Sequence, residues 1–79
     1  MSLPAELSLR TAVDVLKAAP ALTAGGVLDL SGVTRADSAG ISLLLELTRR
    51  AGGSLKLSGA PQQVVQLARF FGVDSVLSF

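Results

Sequence analysis

Cysteine and histidine are both absent from this chain of 79 residues, as are tryptophan and tyrosine. Without cysteine there is no disulfide, no thiolate metal site and no thiol nucleophile, and a reducing compartment suits the chain. Without histidine, the usual general base near neutral pH and the commonest transition-metal ligand are missing. Phe70, Phe71 and Phe79 are the only aromatics and crowd toward one end, so no platform exists for stacking bases or sugars. Charge is sparse and balanced, 7 Lys and Arg against 6 Asp and Glu, with no basic run to track a nucleic-acid backbone. No apolar stretch approaches the roughly 20 residues that span a bilayer, and no signal-peptide pattern opens the chain. These absences permit a reducing, cytoplasmic setting and leave a domain that works by binding rather than catalysis, without direct membrane insertion, metal or cofactor.

What the chain does have is apolar side chains, 49% of the total. That suffices for one core, so residues 1–79 read as a single domain, with only roughly 3–5 kcal/mol of stability unless a partner adds to it. Residues 4–7 fit the tail of a strand or simple coil equally well. Beyond them Ala12, Val13, Leu16 and Ala19 recur at helical spacing, with Ser8 placed to cap and Pro20 to stop the helix. Residues 27–31 form a compact apolar run between Gly26 and Gly32 and predict a buried strand. Residues 32–37 connect it to a second helix over Ser38–Arg50, which Ala51-Gly52-Gly53 closes. Residues 54–58 alternate as a second strand. Gly59-Ala60-Pro61 then opens a third helix with Pro61 in its first turn. Val64, Val65, Leu67, Ala68 and Phe71 form that helix's apolar side, Gly72 caps it, and a short apolar tail follows. Alternation of helix and strand requires parallel pairing through right-handed crossovers, an α/β fold.

The most informative stretch runs from Asp29 to Gly40. It leaves a buried strand, turns, and delivers Asp37 and Ser38 to the start of a helix. Four N–H groups lack partners there, and the peptide dipoles sum to about half a positive charge. Asp37 or Ser38 can cap that end; equally, an exposed Ser38 hydroxyl offers a place where a phosphate would be stabilised. The two roles are compatible. Gly40 fits close packing on the strand or close approach of a partner, and the sequence allows both.

Ile41, Leu44 and Leu45 share one side of this helix, whereas Leu43 and Leu47 diverge from its centre. Each side chain gains about 1.5–3 kcal/mol on burial, so Leu43 and Leu47 either pack on the neighbouring helices or form a docking patch for another protein. Catalytic arrangements fare poorly. Ser38 has no histidine, Lys17 and Lys56 lie on other elements, and Gly52-Gly53 is followed by a strand, not by the Gly-Lys-Ser/Thr of a phosphate loop.

Val27-Leu28-Asp29-Leu30-Ser31-Gly32-Val33, followed by Asp37-Ser38-Ala39-Gly40-Ile41, resembles the signature of STAS domains, and the similarity runs from about Glu6 to the end of the chain. Leu43-Leu44-Leu45 and Leu67-Ala68-Arg69-Phe70-Phe71-Gly72-Val73 look most like MlaB-type members, subunits of phospholipid transporters. The resemblance implies a small single-sheet α/β domain, its sheet mostly parallel or mixed, with helices chiefly on one face. It implies that Asp37, Ser38, Ala39, Gly40, Ile41, Leu43 and Leu47 form a partner-binding surface. In MlaB-type members that surface docks on the cytoplasmic ATPase of an ABC transporter and supports it. In the related anti-sigma factor antagonists a serine matching Ser38 is phosphorylated by an anti-sigma factor kinase, which releases the partner. Because STAS domains usually begin with a strand or hairpin, the resemblance also implies a truncated N-terminal strand. An unpaired sheet edge would then invite homodimerisation.

Overall fold

The computed structural model describes residues 3–18, 26–53 and 55–79. They form β1 (Glu6–Leu7), α1 (Leu9–Ala18), β2 (Gly26–Asp29), β3 (Arg35–Ala36), α2 (Ser38–Arg50), β4 (Leu55–Ser58) and α3 (Gln62–Phe70). The fold is α/β, with parallel strands as the alternation requires. β2 pairs with β4 from Gly26 opposite Leu55 to Asp29 opposite Ser58. The tail adds a parallel bridge on the far side of β4, where the Leu57 N–H donates to the Ser78 carbonyl at 2.7 Å.

The single sheet implied by the resemblance is divided. β1 pairs in parallel with β3, Glu6 opposite Arg35 and Leu7 opposite Ala36, as a separate two-stranded unit. The break comes after Leu30, where a turn closes with the Val33 N–H donating to the Leu30 carbonyl at 3.0 Å and the chain leaves the line of β2. β3 falls inside the stretch that reads as a plain connection, and β1 resolves the ambiguity of residues 4–7 in favour of a strand.

Side chains alternate across β2 and β4. Leu28, Leu55 and Leu57 point into the core, while Val27, Asp29, Lys56 and Ser58 are exposed. One face of the β2–β4 pair is therefore turned to the core and the other to the surface. α1 buries Ala12 and Val15, whereas Val13, one of the helically spaced apolar residues, is 51% exposed. Ser8 holds the start of α1 through its main chain. Its carbonyl accepts from the Thr11 and Ala12 N–H groups, its N–H donates to Thr11 Oγ1, and its hydroxyl turns back to Glu6 at 2.6 Å. Ala19, Pro20 and Ser54, to which the sequence assigned a helix face, a stop and a strand start, lie outside the described residues.

α2 spans the predicted residues because both ends carry strong signals. Asp37, in extended conformation, accepts the Gly40 N–H on Oδ1 at 3.1 Å. At the other end Gly52 and Gly53 take φ of 80° and 86°, which lets the Gly53 N–H reach the Thr48 carbonyl at 2.9 Å. In α3, Pro61 stands just before the helix as its N-cap, not inside the first turn. Phe71 does not join the apolar side. Val64 and Ala68 already line the inner face, and Phe71, beyond the last helical residue, meets Phe70 edge to face at 5.3 Å while 47% exposed.

The core holds one buried polar atom that finds no partner among the described residues, Thr48 Oγ1 on α2. A buried hydroxyl without a hydrogen bond costs about 1–3 kcal/mol in proteins. Thr48→Val keeps the branched shape and removes the oxygen, so it is expected to raise stability by about 1 kcal/mol. Urea denaturation of the two proteins checks this; a less stable variant would mean the hydroxyl is satisfied in solution.

Candidate functional site

β2 ends at Asp29, whose Oδ1 accepts the Ser31 N–H at 2.9 Å and so tightens the turn that follows. Hydrogen bonding by Ser31, through its side chain first and its N–H second, holds the Asp29 carboxyl below its ordinary range. Val33 is buried and pins the loop to the core. The chain then runs beside β1, with the Thr34 and Arg35 N–H groups donating to the Ala5 carbonyl at 2.7 and 3.1 Å.

The start of α2 follows from this pairing. Of the four orphan N–H groups, that of Asp37 donates to the Leu7 carbonyl at 3.0 Å and that of Gly40 to the Asp37 side chain. Those of Ser38 and Ala39 are left without a main-chain acceptor among the described residues. Asp37 is thus the cap and Ser38 the first helical residue, exposed beside a carboxylate already committed to Gly40. The positive helix end, two open N–H donors and a hydroxyl make a hydrogen-bonding surface.

The seven residues assigned to the site from sequence divide sharply. Asp37 and Ser38 are exposed and Ala39 is half-buried, so these three form a surface. Gly40 is buried for a structural reason. A Cβ there would collide with the Leu7 carbonyl oxygen and lie 2.8 Å from Leu7 Cβ, so the close approach is to β1 and not to a partner. Ile41, Leu43 and Leu47 are 2%, 2% and 0% exposed. α2 packs against α1, α3 and β1 at once, which leaves no leucine patch facing outward. The docking role assigned to these side chains is corrected to a core role.

Sequence reasoning missed a concavity of about 420 Å³ beside Asp37. Glu6, Leu9, Arg10, Arg35, Asp37 and Gln63 line it. Its residues come from β1, α1, β3, the cap of α2 and α3. The strand pair that joins them is two residues long on each side, too short to read as a pattern.

Glu46 sits at the opposite end of α2, where Arg49 binds its carboxylate and Arg50 approaches to 3.6 Å. The Arg49 hydrogen bond is the main reason its carboxyl is held below the ordinary range. The cations match the negative end of the helix. No helix among the described residues is long and apolar enough to cross a membrane.

The sequence of residues 1–78 matches the family model described as "Mlab, STAS domain". No curated protein and no solved structure matches the chain significantly. With the α/β fold, the parallel strands and the exposed serine at the start of α2, that match over nearly the whole length shows that the chain belongs to the STAS domain family.

Proposed function

We propose that this STAS domain is a non-catalytic subunit that binds and supports the cytoplasmic ATPase of an ABC-type phospholipid transporter, with Asp37, Ser38 and Ala39 in the contact. STAS domains are generally interaction domains without catalysis, and the matching family carries the MlaB description. The observation that supports the reading most is the exposed Ser38 in the first turn of α2, beside open N–H donors. A partner's carbonyl or carboxylate would complete those donors.

Ser38→Arg places a long cation on this positive helix end and fills the contact. Co-purification with the ATPase is expected to be lost while the circular dichroism spectrum stays that of the wild type. Unchanged co-purification counts against the proposal. The second reading, an anti-sigma factor antagonist, draws on the same accessible hydroxyl at a helix end that suits a phosphate. A mass gain on Ser38 with an anti-sigma factor kinase, together with no ATPase bound to the wild type, would favour that reading.

A further inference from the structure

β2 is the outer strand of its sheet. β4 holds β2 on one side and the Ser78 bridge on the other, whereas β2 pairs with β4 alone among the described residues. In a parallel ladder the main-chain groups of alternate residues turn to opposite sides of the strand. The Leu30 N–H donates to the Ser58 carbonyl at 2.8 Å, which sets Gly26, Leu28 and Leu30 toward β4. The N–H and C=O groups of Val27 and Asp29 therefore point away from the sheet, and no strand among the described residues meets them. Edges are commonly blunted by proline, lysine or a bulge, and β2 contains neither proline nor lysine. Its outward side chain Val27 is 60% exposed.

We infer that a second copy of this chain covers that edge, its β2 running antiparallel across a two-fold axis at Leu28. In that register Val27 of each copy stands opposite Asp29 of the other, and each such pair exchanges both of its N–H···O=C bonds. The open groups of one edge are thus the complement of the same groups on the other. Charge agrees with the register. Asp29 and Lys56 share the exposed face, with Lys56 beside Val27 in the ladder, and the ion pairs of the described residues include neither. Pairing about Leu28 sets each Asp29 against the partner copy's Val27, with Lys56 of that copy one strand further along the same row. A two-fold axis at Asp29 would instead set the carboxylates face to face, which is unfavourable. The edge is short and buries too little for a permanent dimer, so the association is weak and reversible. It does not rest on the proposed function, which concerns the start of α2.

Analytical ultracentrifugation of the whole chain is expected to show a monomer–dimer equilibrium that shifts toward dimer as concentration rises. Hydrogen exchange at the Val27 and Asp29 amides should slow over the same range. Val27→Pro removes an N–H that takes no part in the ladder to β4, so it is expected to abolish the dimer and keep the circular dichroism spectrum. Two further variants leave the main chain intact and decide the matter should the proline unfold the domain. Val27→Asp meets Asp29 of the partner copy and is expected to weaken the dimer about fivefold, whereas Val27→Lys meets the same carboxylate and keeps or tightens it. A monomer at every concentration would overturn the inference. So would a dimer that survives Val27→Pro, equal effects of Val27→Asp and Val27→Lys, or a dimer that leaves exchange at Val27 and Asp29 unchanged.

Discussion

Gly40→Ala is expected to destabilise the domain by about 2 kcal/mol, although alanine is the better helix former. Alanine gains up to about 1 kcal/mol over glycine in a helix interior, and less in the first turn. Against it stands a Cβ driven into the Leu7 carbonyl and 2.8 Å from the Leu7 side chain. The obstruction is largely main chain, so a rotamer change cannot relieve it. Either α2 lifts or β1 withdraws, and overpacking of this kind costs about 1–3 kcal/mol. Withdrawal of β1 also breaks the bond from the Asp37 N–H to the Leu7 carbonyl, worth about 1 kcal/mol net. Urea denaturation measures the loss, and faster hydrogen exchange at the Asp37 amide locates it. Equal stability of the two proteins would show that β1 yields freely and that packing does not require glycine here.

Leu47→Ala is expected to have the larger effect, unfolding most of the chain at 37 °C. Leu47 is fully buried on α2 amid the shared core of the helices and strands. Removing such a side chain costs about 2–5 kcal/mol through lost burial and the cavity left behind. A domain of this size has about 3–5 kcal/mol in all, so one truncation consumes most of it. Leu9→Ala is the matched control, because Leu9 is 74% exposed and a surface change of this sort stays within about 0.5 kcal/mol. Thermal melts followed by circular dichroism separate the two. A Leu47→Ala protein that melts like the wild type but loses its partner would return this leucine to the docking surface.

Legibility in the sequence depended on how local each cause was. α2 matches its predicted bounds because Asp37 at one end and Gly52-Gly53 at the other act within a few residues of themselves. β2 and β4 were legible from compact or alternating runs between turn residues. β3 was not, because Arg35 and Ala36 are extended only by virtue of Glu6 and Leu7, almost thirty positions away. The same limit explains Leu43 and Leu47. Helical spacing places a side chain on a bearing around the axis, but how many neighbours surround the axis is a tertiary property. For the site, Asp37 and Ser38 could be read from cap chemistry, and the family resemblance pointed to the same pair. The concavity could not, since Arg10 and Arg35 come to line one hollow only after β1 and β3 have paired.

The Leu7 carbonyl, which takes the Asp37 amide and forms the floor under Gly40, makes the segment ahead of α1 the mooring of the recognition surface. A fusion partner or affinity tag attached close to that segment would pull on Ser38 through a single peptide unit. Binding measurements on this protein are therefore best made with such attachments at the opposite terminus.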